Sequence, residues 1–435
     1  MLLIHTPDIT NRLQYIVDLI LGELLGLEFR LTTSWNELTA YEGHKLAYTR
    51  EQDVTVPFIA AQGLLFEHAL HPREPIVSSH EEIPVLFPIP AKNALLPFDI
   101  FAASFYMVSR YEEYHIEETD RYGRFPASQS CAYKHGFLDK PVVHYWTHQL
   151  GKALCRLFPS LSLKKPSYRF IHTIDIDHAY AYLHRPIQRT LGAIARSVIH
   201  GEFKDIAHRI QVLTRMANDP FDVYGYLTGL HDQYGLSPQY FILFADYGGN
   251  DNNIPIRNKT FHELIRSLDR GGTVGIHPSL SSGKHFRRLE REYKKLSKVL
   301  HRKITISRQH FLKISMPRTY RTLMRLGIRE DYSMGFASHI GFRAGIAHPF
   351  IFFDLLKNDR TPLRIYPIMI MDVTMRDYLR LNPSQSLELI DSMIRTVKSV
   401  QGSFISLWHN ESLSGYGHWK GWREVYEQML RMASV

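Results

Sequence analysis

The two carboxylates in Thr173-Ile-Asp-Ile-Asp177 are the most chemically loaded feature of this 435-residue chain. Asp175 and Asp177 alternate with Ile174 and Ile176, so on a strand both acids face one side and both isoleucines the other. Two like charges held together destabilise a fold unless a cation or a proton lies between them. The pattern predicts a divalent metal there, or one acid kept as a base beside a metal-bound partner. The reading it must beat is two capping acids at a strand end. His277, in Val-Gly-Ile-His-Pro-Ser, follows an apolar run and precedes a proline that ends it. An imidazole beside two aspartates suits zinc, which in catalytic sites takes three N or O ligands and leaves a position for water. His178 follows Asp177 directly but points away by alternation, so it ranks below the two acids.

Such groups must be held by strands that end together. Short β-like runs recur at 168–175, 238–246, 273–279, 304–311, 326–333, 364–372 and 402–410, separated by helical stretches. Alternating strands and helices imply a parallel sheet with crossover helices. The run count and length suit a closed β/α barrel, with a doubly wound open sheet as the alternative. Each run carries polar residues at its end: Asp175 and Asp177, Asp246, His277, Arg308 and His310, Asp331, Asp372, and His409. In a barrel those ends converge on one face. Asp246, before Tyr-Gly-Gly, is equally a turn residue, but helix caps would not select the whole mixture of His, Arg and Asp.

Before residue 165 the texture differs. Leu2–His5 reads as a short buried strand, Thr10 or Asn11 as the cap of a helix with apolar residues at Leu13, Ile16, Leu19, Ile20, Leu24 and Leu25. A second helix is expected with its apolar face at Ile100, Ala103, Tyr106 and Met107, and a third over 143–157. We expect a smaller α+β domain over 1–165 with few chemical groups, the segment 157–167 as linker, and the β/α domain over 166–435.

The formal net charge of +9 suggests an acidic partner such as an anionic glycan, a nucleotide-linked sugar or a membrane surface. No zinc-finger, RRM-like or basic-zipper pattern supports nucleic acid. Two cysteines, Cys131 and Cys155, are too few for a disulfide framework. No signal-peptide pattern and no membrane-spanning run is found, which reads as a cytoplasmic protein.

Thr-Ile-Asp-Ile-Asp, Gly-Ile-His-Pro-Ser and Ser-Leu-Trp-His-Asn, in that order over residues 168–412, resemble the polysaccharide deacetylase family, carbohydrate esterase family 4 in the wide sense. The resemblance implies a distorted (β/α)7 TIM-like barrel of the glycoside hydrolase and deacetylase type. It also implies a divalent metal, zinc first, and removal of an acetyl or other acyl group from an amino sugar of a polysaccharide or glycan precursor. The family's first motif is Thr-Phe-Asp-Asp-Gly; carried over, Asp175 is the base and Asp177 a metal ligand, although Ile176 separates them here. The second, His-x-x-x-His-Pro, keeps only His277 before Pro278, Thr273 standing in the place of the first histidine. His310 is the expected third ligand. Arg308 fits the arginine that steadies the base, and His409, in Leu407-Trp-His409, the general acid. Asp331 or Asp372 is the acid expected to orient His409.

Other features carry alternatives. Gly341-Phe-Arg343-Ala-Gly345 reads as a loop bringing a positive charge to substrate, or as a surface loop. Trp408, Trp419 and Trp422 read as core closers ahead of sugar-stacking platforms. The segment 178–237, with Arg185, Arg189, Arg196, Lys204, Arg209 and Arg215 among apolar residues, is a solvated helix face, or a lid meeting an anionic glycan or a membrane-bound lipid-linked sugar. Two rival functions remain: an inactive glycan-binding or assembly protein on the same barrel, and a metal-dependent glycosidase. The second needs a distant acid such as Asp372, because two acids on one strand lie too close for that chemistry.

Overall fold

A computed structural model describes residues 1–51, 55–116, 118–164 and 166–435, the side chain of Lys284 excepted. Lys165, at the expected domain boundary, lies outside the described residues. Four parallel strands, β1 (Leu2–His5), β2 (Phe29–Thr32), β3 (His44–Thr49) and β4 (Phe58–Ala60), form a sheet of order β2-β1-β3-β4. Thr10 caps the first helix, Asn11–Val17, by accepting the Leu13 N–H. Asp99 does the same for the helix Ile100–Val108, accepting from Ala102. That helix is buried on every side, as its near-continuous apolar run requires. A hairpin, β5 (Val77–His80) with β6 (Ile83–Leu86), and the helix Val142–Leu157 complete this half.

The larger sheet is mixed but mostly parallel. Its strands are β7 (Arg169–Ile176), β8 (Gln239–Leu243), β9 (Thr273–His277), β10 (Ile306–Ser307), β11 (Glu330–Asp331), β12 (Phe350–Asp354), β13 (Asp359–Ile365), β14 (Ile370–Met371) and β15 (Ser403–His409). Their order is β12-β13-β11-β10-β9-β8-β7-β15-β14, antiparallel only between β12 and β13. The antiparallel hairpin was not legible as two strands. The run at 364–372 divides where Pro367 can offer no N–H to a ladder. The four residues between β13 and β14 bond to strands that stand well apart in this order. Tyr366 and Ile368 donate to Asp331 and Met334 beside β11, while Met369 donates to Ile405 of β15.

Strand proximity sets one glycine. A Cβ on Gly275 would lie 2.6 Å from an Ile306 side-chain carbon and 2.8 Å from its carbonyl, so β9 and β10 approach closely only because residue 275 is glycine. One apolar cluster, including Leu2, Tyr15, Phe105, Trp146, Ile174, Phe353 and Trp408, runs through both halves. Trp408, Trp419 and Trp422 are buried in it with mutual ring contacts.

Candidate functional site

Parallel pairing puts the ends of the central strands at one edge. Asp175 is level with His409 in the β7–β15 ladder and with Phe241 in the β7–β8 ladder, and Leu243 is level with His277. Beyond that edge lies a pocket of about 520 Å³ lined by Asp175, Asp177, His277, His310 and His409 among others.

Asp177, His277 and His310 each aim one ligand atom at a common point, all within 4.8 Å of one another. His277 Nε2 lies 3.2 Å from Asp177 Oδ1, and His310 Nε2 lies 3.4 Å from Asp177 Oδ2. Ligand atoms around a tetrahedral zinc sit about 3.3 Å apart by the usual bond lengths. The far nitrogens settle the tautomers. His277 Nδ1 is 2.6 Å from the Arg308 carbonyl and His310 Nδ1 is 3.0 Å from Asp251 Oδ1. Both partners can only accept, so each Nδ1 carries a proton, and a neutral ring leaves its Nε2 lone pair for a cation at the centre. Asp177 Oδ1 is buried without a hydrogen-bond partner, an orphan that a cation would satisfy. The donor set therefore fits a divalent ion of the zinc type.

Charge is distributed to match. Burial opposes ionisation of Asp177, yet His310 and His277 hold its carboxyl well below the usual range. Burial opposes protonation of His310 too, but Asp177 and Asp251 outweigh it and push the ring up to about 9. A bound divalent ion would displace that proton, since a ligating imidazole must be neutral.

Beside this cluster Asp175 Oδ1 accepts from Arg308 Nη1 at 2.7 Å, and its Oδ2 lies 3.6 Å from His277 Nε2. Arg308 is fully buried, stacked over Phe241 and fixed by bonds to the Tyr332 carbonyl and Thr173 Oγ1. Its orientation is over-determined, and so is that of Asp175. Opposite, His409 Nδ1 donates to Asp372 Oδ1 at 2.8 Å while Asp372 Oδ2 accepts the His409 backbone N–H. Burial works against charge on His409, but Asp372, then Asp177 and Asp175, push it up to about 10. Its Nε2 stands 3.7 Å from Asp177 Oδ2, a cationic donor facing the pocket.

The structure separates the two acids considered for His409. Asp372 holds it. Asp331 instead accepts from Ser307 Oγ, Ser333 Oγ and the Ser333 N–H, and burial pushes its carboxyl up to about 6. Asp331 braces the strand ends that carry Arg308 and is no partner of His409. The charge of Arg343 is not offered to substrate either: the side chain is buried against Glu113. Asp246 is exposed, 3.8 Å from Lys295, and lines an adjoining cavity, not this pocket. His178 does face the pocket, its Nδ1 2.7 Å from Glu411, because β7 ends at Ile176 and strict alternation ends with it.

Some contributors were not foreseen. Asp251 sits in Gly-Gly-Asn-Asp-Asn-Asn, a composition that signals only a turn. Arg121, Tyr122 and Arg124, from the half expected to carry few chemical groups, also line the pocket. Arg124 donates to the Phe311 carbonyl and to Tyr378 Oη, and Tyr122 stacks on Phe311, ring centroids 4.6 Å apart. A second cavity, about 880 Å³, shares Arg121, Tyr122 and Asn250 with the first and is walled by Arg288, Arg291 and Arg318.

Comparison with known proteins adds the following. A family of unknown function, DUF7033, matches residues 2–159. No curated protein matches the sequence. Among solved structures, the chain is similar to a candidate polysaccharide deacetylase from Mycobacterium smegmatis (16% identity, TM-score 0.40, covering 62% of this chain and 85% of that one). It is also similar to a candidate polysaccharide deacetylase from Pseudomonas aeruginosa PAO1 (9% identity, TM-score 0.39, 61% and 84% covered). A third is the Puue allantoinase (7% identity, TM-score 0.38, 61% and 83% covered). Overlaps this loose assign no residue a role, so the chemistry is read from the site itself.

Proposed function

We propose that this chain is a metal-dependent hydrolase that removes an acyl group, acetyl first, from the nitrogen of an amino sugar in a glycan or glycan precursor. The observation that carries the reading is the convergence on one pocket of a two-imidazole, one-carboxylate cluster, a clamped carboxylate and a cationic histidine. The run of parallel strands β13-β11-β10-β9-β8-β7-β15-β14 with intervening helices is what supports a distorted β/α barrel.

Asp177, His277 and His310 would hold the ion. When bound, it supplies Lewis acidity toward water and the acyl carbonyl. Asp175, oriented by Arg308, takes a proton from the water that attacks the acyl carbon. His409 gives its proton to the amine nitrogen as the C–N bond breaks, because an amide anion leaves too poorly to depart unprotonated. The water oxygen ends on the released carboxylate and the sugar keeps a free amine. Asp372 holds the His409 ring in the donating tautomer and supports its charge.

An anionic group on the substrate is supported by the adjoining cavity. Among the described residues no carboxylate lies within 4.0 Å of the Arg121, Arg288, Arg291 or Arg318 guanidinium, and unpaired guanidiniums are the usual receivers of phosphate and carboxylate.

The test is elemental analysis of purified protein joined to acetate release from N-acetylated sugars, with and without a phosphate. One zinc-type ion per chain and released acetate are expected. A chain that binds no metal on titration but retains a glycan would establish the inactive binding protein instead.

A further inference from the structure

Eight of the seventeen large hydrophobic side chains exposed among the described residues fall between positions 187 and 216. They lie on two consecutive helices, Ile187–Ile199 and Phe203–Leu213, and just beyond. On the first, Ile187, Leu191 and Val198 recur at i, i+4 and i+11; on the second, Phe203, Ile210 and Leu213 recur at i, i+7 and i+10. Each set is therefore one continuous stripe along its helix. The polarity is inverted for helices on a protein surface. Their buried positions are Thr190 and Ser197 on the first, and Arg209 and Val212 on the second. The aliphatic side chains face outward, an arrangement that marks an interaction surface rather than a misplaced core.

The turn between the helices is the most exposed part. Ile199 is 81% and Phe203 66% exposed, with Arg196 and Lys204 beside them, both exposed. Among the described residues no carboxylate comes within 4.0 Å of Arg196, Lys204 or Arg215. The two nearby acids are engaged: Asp205 accepts from Tyr182 Oη and Arg209, and Glu202 from Ser197 Oγ. The face is thus aliphatic with a net positive tip, the exposed Arg196 and Lys204 outnumbering the exposed carboxylate of Glu202, whose bonded partner is only a hydroxyl. A second copy docked on the same face by two-fold symmetry would bring those cations against each other. An anionic lipid surface meets both properties at once, acyl chains for Ile199 and Phe203 and headgroups for Arg196 and Lys204. No helix among the described residues is long and apolar enough to cross a membrane, so attachment would be by the hairpin lying on the surface.

We propose that this helical hairpin docks the protein on an anionic membrane. The docking also fixes where the pocket goes. Asp219 accepts the backbone N–H groups of Ala181, Tyr182 and Leu183, just after β7, and His208 stacks on Tyr416, on the chain beyond β15, with ring centroids 4.7 Å apart. The hairpin is tied to the same strand ends that carry Asp177 and His409, so docking presents the pocket to molecules held at the lipid surface. The proposal does not depend on the chemistry assigned to that pocket.

The full chain is to be sedimented with vesicles of phosphatidylcholine alone and with about 30% phosphatidylglycerol, at about 50 mM and about 500 mM salt. Binding is expected to the anionic vesicles at low salt, about tenfold or more weaker on the neutral ones or at high salt. Ile199→Asp with Phe203→Asp, and separately Arg196→Glu with Lys204→Glu, are each expected to lower binding by about tenfold or more with unchanged circular dichroism. All four sites are exposed, so folding is not at stake. No binding of the native chain to anionic vesicles, or equal binding by the Ile199/Phe203 variant, overturns the proposal. So does a dimer that this variant dissolves in the absence of vesicle binding, which would make a second copy the occupant.

Discussion

Asp251 Oδ1 and His310 Nδ1 are 3.0 Å apart and both residues are buried. The contact fixes the ring of a histidine from one strand end by means of a loop eight residues beyond β8. Asp251 also accepts the Leu280 and Ser281 N–H groups, so the loop after His277 is built into the same support. Outer carboxylates of this kind typically sustain about 10- to 100-fold in metal affinity. Asp251→Asn is expected to weaken zinc binding by that factor, measured by competition with a chromogenic chelator; unchanged affinity would remove Asp251 from the site.

Asp175→Asn and His409→Ala separate proton transfer from metal binding. Each is expected to lose about a hundredfold or more in kcat, the usual contribution of a positioned acid or base. Both should keep the ion, because the ion's proposed ligands are elsewhere. Near-normal turnover in either purified variant would sink its role.

Arg288→Glu tests the second cavity through substrate charge. The expected result is a rise of about tenfold in KM for a phosphorylated amino sugar, with little change for its neutral counterpart. Equal effects on both substrates would show that the cavity does not read charge.

Glu113 and Arg343 join the two halves by hydrogen bonds of 2.8 and 2.6 Å, Arg110 adding another to Glu113. All three are buried. Removing one partner strands the others without water, so Glu113→Gln is expected to cost about 3–5 kcal/mol. Chemical denaturation would measure it. A cost under about 1 kcal/mol would mean that the pair contributes no more than an exposed one.

Acid should unfold the protein through histidines buried in neutral form. Burial lowers His144 to about 3 and His231 to about 4, and holds His172 well below the ordinary value of 6.5. A folded pKa below the unfolded one means that the unfolded chain binds the proton first as pH drops. The stability these groups contribute is complete above pH 6.5 and is lost as pH falls toward 3. Each costs up to about 1.4 kcal/mol per pH unit inside its window. Melting temperature is expected to fall between about pH 7 and pH 5, less steeply in His144→Leu. Parallel curves would exclude His144 as a contributor.

Sequence periodicity reached far into this molecule because strands and helices have local signatures. The runs at 168–175, 238–246, 273–279 and 402–410 overlap β7, β8, β9 and β15, and Thr10 and the helix near 143–157 are where capping and apolar spacing put them. Residue type at strand ends singled out Asp175, Asp177 and His277; the family resemblance added His310 and made Asp177 rather than Asp175 the ligand. The fold brings side-chain N and O atoms of Asp177, His277 and His310 within 4.8 Å of one another. The runs at 304–311 and 326–333 contain β10 and β11, which shrink to two residues each, and the run at 364–372 divides at Pro367 into the end of β13 and β14.

Asp175 and Asp177 show where the boundary falls. Their type, spacing and shared side were properties of five consecutive residues, and the need for a cation or a proton between them followed from Coulomb repulsion. Which imidazoles complete the cluster depends on strand order. The choice of Asp372 over Asp331 depends on which strand pairs with β15, and the support from Asp251, Arg121 and Arg124 on loops crossing between elements. Pairing energy is spread over contacts between residues hundreds of positions apart, and no local pattern of side chains encodes it.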